Sequence, residues 1–397
     1  MKQSHRRGLV PLVVVASLAM VLTGCSTSNL GGDKAEPGAS ADGPIKIGAV
    51  LDITGVGASL GVPEQNTLNM LAKQLEKAGG IDGRQVQLII EDDQSTEDGA
   101  AKATTKLIQG DKVDLIIGAS RTGPSVAMRP IAEAAELPMI SIAANVVIVQ
   151  GSKWVFKTAQ NDVVVIQRIL EDAKAKGYTK LALVRDATGF GEGVADTITK
   201  LGADLGIKLV MTEAFEPSAT DFTPQMTNVR ASDADAVLIW GITPSAGLAQ
   251  KAYVQLGVNK PVYQSHGIAN AAFFDAAGDS ATGVIAPMGR LLVVDQLEAN
   301  NPQREVIEKF NKDYSAAFGD KPSSFAGHAF DAWNIAVAAM KKVGTEPAAL
   351  RDAIEKTDGY VGISGIFKMT PQDHSGLDAS ALILAEAKNG RWNLYKD

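Results

Sequence analysis

The chain has 397 residues, a formal net charge of -7, 45% hydrophobic and 5% aromatic residues, and a single cysteine. This balance excludes a nucleic-acid surface, which needs clustered Lys and Arg; no such cluster follows Arg7. It also excludes a strip of stacking rings and an internal disulfide, so stability must come from buried apolar surface, with length enough for two lobes.

The N-terminus reads as an export signal. Lys2, Arg6 and Arg7 precede an apolar run from Leu9 to Leu22, and Leu22-Thr23-Gly24-Cys25 has the order of a bacterial lipobox. The run is short for a membrane span. Removal of residues 1–24 would leave Cys25 as a lipidated N-terminus, holding the protein at the outer side of a cell membrane. Residues 25–43, rich in Ser, Gly, Ala, Asp and Pro, read as a flexible linker.

From Ile45 strands and helices alternate. The pattern predicts strands at Ile45–Ile53, Val86–Ile90, Val113–Ile117 and Met139–Ile142, with helices at Glu64–Ala78, Ala100–Ile108 and Val126–Ala135 between them. A second set begins after Asn161. It has helices at Val163–Lys176, Val194–Leu205, Met226–Ala231 and Gly247–Leu256. Strands fall at Leu181–Val184, Leu209–Phe215, Ala236–Trp240 and Pro261–Gln264. Later helices are expected at Arg304–Phe318, His328–Val343 and Ala348–Lys356. Two such sets mean two doubly wound α/β lobes with parallel sheets. The chain ends are expected to return and complete both. Lobe 1 is then 44–161 plus about 288–365, and lobe 2 is 162–287 plus about 366–397.

Open parallel sheets bind ligands beyond the carboxyl ends of their strands. The loops there are Asp52–Gly61, Ala119–Ser125, Ala143–Val147, Asp186–Glu192, Gly241–Ser245 and Ser265–Asn270, rich in Gly, Ser, Thr and Asn. Backbone N–H groups, hydroxyls and helix starts in such loops suit a carboxylate. Taken singly, these residues have plainer uses. Thr122 reads as a helix N-cap, Asn145 as a loop-orderer, Phe190 and Phe325 as core, and His328 as core or surface. Glu91-Asp92-Asp93 has no spaced partner to complete a metal site, so it reads as a solvent-facing strand end or a helix cap.

In these stretches the chain resembles the branched-chain amino-acid type substrate-binding proteins of ABC importers, with the type I periplasmic binding fold. The matching residues are Ile45-Lys46-Ile47-Gly48 with Thr54-Gly55, Ala78-Gly79-Gly80-Ile81-Asp82-Gly83-Arg84, Glu91-Asp92-Asp93-Gln94 and Val113–Gly118. Pro138-Met139-Ile140-Ser141, Phe190-Gly191-Glu192-Gly193 and Thr220-Asp221-Phe222 continue the match. The resemblance implies two lobes joined by three crossover strands, a ligand closed between them, no cofactor, a monomer, and ABC permease subunits as partners. It places Thr122 at the grip on the ligand carboxylate. Ala143 and Asn145 fall in a second carboxylate-side loop. Phe190, often Tyr in the family, covers the ligand, and Leu60, Ile242 and Phe325 surround it. Arg121 reaches a second anionic group or lines the entrance, and Asp162, at the first crossover, is a hinge residue.

His266 departs from the family. The amino-acid binders carry an acid there, pairing with the ligand ammonium. Histidine supplies no negative charge, and a buried ammonium without a partner is costly. The implied ligand is a small, partly apolar carboxylate without an amine: a keto, hydroxy, aromatic or dicarboxylic acid. Binding of branched-chain or other amino acids is the alternative, as is a ligand sensor serving a signalling partner. An enzyme is disfavoured, because no nucleophile elbow, phosphate loop or metal-spaced His pair is present.

Overall fold

The computed structural model describes residues 43–395. The expected export segment, Cys25 and the linker as far as residue 42 lie outside the described residues.

The first set runs β1 (Ile45–Leu51), α1 (Ala58–Lys77), β2 (Val86–Asp92), α2 (Glu97–Thr105), β3 (Leu115–Gly118), α3 (Thr122–Ala134), β4 (Met139–Ser141) and β5 (Val155–Lys157). Its strands form one sheet in the order β2-β1-β3-β4-β5, parallel throughout. Register is fixed at the centre, where Ile47 pairs with Leu115 and Val50 with Gly118. Leu115, Ile116 and Ile117 are all buried, as a strand covered on both faces must be.

The second set runs α4 (Asp162–Ala175), β6 (Lys180–Asp186), α5 (Val194–Leu205), β7 (Lys208–Phe215), α6 (Thr223–Ala231), β8 (Ala236–Trp240), α7 (Ser245–Gln255), β9 (Val262–Gln264), α8 (Ala272–Ala277) and β10 (Ile285–Met288). Then come α9 (Arg304–Phe318), α10 (Ser324–Val343), α11 (Pro347–Glu355), the hairpin β11 (Asp358–Val361) and β12 (Ile366–Lys368), and finally β13 (Ile383–Lys388) and β14 (Arg391–Leu394). The second sheet has the order β14-β13-β10-β9-β8-β6-β7.

This sheet departs from the expected all-parallel form. β6 to β10 are parallel, but β13 and β14 add antiparallel strands at one edge. The hydrophobic pattern of short strands such as β10 and β5 does not announce their pairing, which depends on partners far away in sequence. Helix α1 also begins earlier than its apolar spacing predicts, with Pro63 inside it. Its first turns lie against β1's exit: a Cβ on Gly61 would stand 2.2 Å from the Asp52 carbonyl oxygen, so only glycine fits.

Helix α10, from late in the chain, packs on α1 and on β3 and β4, and so covers the first sheet. The chain passes between the sheets three times. The first and third passages lie side by side: Lys157 N donates to His374 O, and Ser375 Oγ donates to Asn161 Oδ1. The second passes at Gly289, where a Cβ would stand 3.1 Å from Gln160 Nε2.

Candidate functional site

Loops leaving the carboxyl ends of β3, β4, β6, β8 and β9 meet around one cleft. Leu60 and Phe325 close it from α1 and α10.

The β3–α3 turn depends on Gly118. Its φ is +127°, and a Cβ would lie 2.1 Å from the Val50 carbonyl oxygen. The turn delivers Thr122 as the first residue of α3. Arg121, not Thr122, occupies the N-cap position, and no side chain caps this helix. The Thr122 hydroxyl is buried with no hydrogen-bond partner among the described residues. The amides of Thr122 and Gly123 have no partner within the helix, and the helix dipole points its positive end at the cleft.

From the other sheet, His266 follows β9 and Ser265, whose hydroxyl accepts from Gly267 N. The His266 ring is buried, and neither of its nitrogens has a partner among the described residues. Burial, with the charge of Lys157 added to it, holds the imidazole down at about 3, so it is neutral. Phe190 and Trp240 frame the ring, with centroids 5.6 Å and 5.8 Å away. Trp240 Nε1 donates to Phe190 O at 3.0 Å and fixes that loop.

Leu60, Arg121, Thr122, Ala143, Phe190, Ile242, His266 and Phe325 all line this cleft. Asn145 stands apart, in a wider outer cleft. Its amide donates to Gly189 O on the opposite wall, and its Oδ1 accepts from Val147 N. Its groups are thus engaged by protein. Arg121 is likewise committed: Nε pairs with the fully buried Asp52, and Nη2 donates to Ser95 O at 2.6 Å.

Four residues have settings that the residue pattern alone did not show. His328 lies on the pocket wall, with Nδ1 2.8 Å from Ser364 Oγ. It follows Phe325 by three residues on one helix, and that spacing was the available signal. Asp93 is fully buried and does not face solvent, and burial with the neighbouring Asp52 pushes its carboxyl up. Asp92 instead organises a loop, accepting from Thr54 Oγ1 and from the amides of Ile53, Thr54 and Gln94; Thr96 caps α2. Asp186, missed as a pocket residue, accepts on Oδ1 from Thr188 N, Thr188 Oγ1 and Gly191 N, which shapes the loop carrying Phe190. Among the described residues no group of three or more His, Cys, Asp or Glu is placed to hold a metal ion, and no helix is long and apolar enough to cross a membrane.

A family model described as periplasmic binding protein matches residues 44–391. The chain belongs to that family. It is a solute-binding protein of the ABC-transporter type, with the type I periplasmic binding fold, and the family works outside the cytoplasm. Its relatives include the Leu/Ile/Val-binding protein BraC3 of Rhizobium johnstonii, 24% identical over 87% of this chain and 92% of that protein. Among solved structures, an extracellular ligand-binding receptor from Rhodopseudomonas palustris HaA2 is 30% identical. It covers 89% of this chain and 100% of its own, with a TM-score of 0.84. An R. palustris solute-binding protein in complex with benzoate shares the fold at 23% identity and a TM-score of 0.76, over 88% of this chain and 95% of that one.

Proposed function

We propose that this periplasmic binding protein captures a small, partly apolar carboxylate without an amine and delivers it to an ABC permease. Proteins of this fold include a Leu/Ile/Val-binding protein and one in complex with benzoate, so the fold does not choose the ligand. The choice rests on the cleft. The observation that carries it is the facing pair of unpartnered polar groups: the Thr122 hydroxyl at the start of α3 and the neutral His266 ring opposite. A hydroxyl, two helix-start amides and an imidazole N–H can all donate to a carboxylate. At His266 an ammonium finds no such reception, since the ring carries no negative charge; burial raises the pKa of Asp186, the carboxylate on the wall, and so disfavours its charged form. The apolar walls, Leu60, Phe190, Ile242 and Phe325, favour an aromatic or branched aliphatic body.

Closure is a population shift, in which ligand contacting both walls stabilises the closed form. We take 44–161 with about 288–368 as one moving lobe and the remainder as the other, since the β11–β12 pairing keeps that hairpin whole. A lipid on Cys25 would tether the monomer beside its permease. Incorporation of labelled palmitate, lost in Cys25→Ala, tests the anchor. A thermal-shift screen of benzoate, 4-methyl-2-oxopentanoate, succinate and leucine tests the ligand class, because a ligand of the folded state raises the melting temperature. A shift with the acids and not with leucine is expected. Tight leucine binding overturns the reading.

A further inference from the structure

We infer that Lys157 is the counter-charge that makes this cleft prefer an anion, acting from behind the pocket wall at Ala159. The inference rests on the carboxylate reading above and assigns the charge that reading leaves unassigned.

Lys157 ends β5, where the chain first passes between the sheets, and its side chain is fully buried. It is the one buried lysine or arginine among the described residues. It joins none of the ion pairs found there. Its ammonium donates to the carbonyl of Ala159, a residue of the pocket wall. Asp162 on α4 and Asp373 ahead of the third passage favour its charge from a distance, while His266 and His328 in the cleft both feel that charge. The other charged candidate, Arg121, is paired with Asp52, and both imidazoles are neutral.

A buried ammonium without a carboxylate partner is costly to keep, and removing such a partner elsewhere is strongly destabilising. A ligand carboxylate held at the wall supplies the missing charge. Burial holds the Lys157 amine down at about 7, so an arriving anion completes its protonation. The same anion leaves Asp162 and Asp373 facing a fully charged lysine.

Calorimetry with two matched pairs tests this: benzoate with benzamide, and 4-methylpentanoate with 4-methylpentanamide. The wild type should bind each preferred acid about tenfold or more tighter than its amide. At about pH 8 the acid should bind with proton uptake, read from the dependence of the heat on buffer ionisation, and the amide without it. Lys157→Met should lose both the preference and the uptake, while amide affinity changes by less than about twofold. Unchanged acid preference in a folded Lys157→Met overturns the inference and leaves the carboxylate reading standing. Should that variant fail to fold, absence of proton uptake in the wild type overturns it instead. If the wild type binds neither acid, the carboxylate reading falls and this inference with it.

Discussion

Asn145 donates its amide to the carbonyl of Gly189, 3.1 Å away, and so ties the loop after β4 to the loop after β6 across the cleft. A contact made only between walls is a latch. Asn145→Ala should remove about 1 kcal/mol from the closed form and weaken ligand binding about fivefold. Small-angle scattering should show a larger radius of gyration without ligand. An unchanged radius together with unchanged affinity would show that the latch carries no weight.

Thr122 and His266 make a different prediction, because they line the cleft and their polar atoms have no partner among the described residues. His266→Ala should weaken acid binding about tenfold, and Thr122→Ala more, since hydrogen bonds to a charged group are worth about 1.5–3 kcal/mol. Titration calorimetry on both variants checks this. If both bind like the wild type, the ligand lies elsewhere.

His266 also sets a pH dependence. Its unfolded imidazole takes up a proton near 6.5, while burial holds the folded one down at about 3. Between those values the unfolded chain binds more protons, so stability falls as pH drops through that window. His266→Gln should flatten the loss between about pH 6.5 and 3 in chemical denaturation. His328, held down at about 3 for the same reason, retains its share of the slope. A slope identical to wild type would mean that His266 is charged in the fold.

Arg121→Met should act on stability first. It leaves Asp52, fully buried, without its cation, at a cost of about 3 kcal/mol. The melting temperature should drop while the folded fraction still binds acid. Loss of binding with no loss of stability would instead make Arg121 a ligand contact.

Gly267→Ala probes the close approach beneath His266. A Cβ there would lie 2.4 Å from the Gly241 carbonyl oxygen, a backbone atom that cannot swing aside. A loss of about 1–3 kcal/mol is expected, with weaker binding as the loop shifts. A variant as stable as wild type would show that the loop yields easily.

Much of the fold was legible because helix and strand periods are local. α5, β8 and α9 have the bounds that the apolar pattern predicts, and β2 runs two residues further. β13 and β14 were not, since an antiparallel edge is defined by its partner and not by its own residues. Strand-end loops pointed to the cleft before any geometry was available, and eight of the nine ligand positions argued from sequence share one pocket. Side-chain commitments were illegible. Nothing in Arg121 or Asn145 as letters says that one is held by Asp52 and the other by Gly189. Lys157 offered no signal either, because burial of a lone lysine emerges only when the third passage, more than 200 residues later, packs beside the first.

The covering of the first sheet by α10 bears on how the molecule is made. Synthesis finishes the last strand of that sheet at Lys157, yet its lid helix begins only at Ser324. Until then the β3–β4 part of the sheet lacks this covering helix, although α1 already lies against β1 and β2. Contacts separated this far in sequence form slowly, because the loop must close before the contact stabilises anything. The order of segments thus delays compaction of that lobe until most of the chain exists, which fits the extracytoplasmic setting of the family.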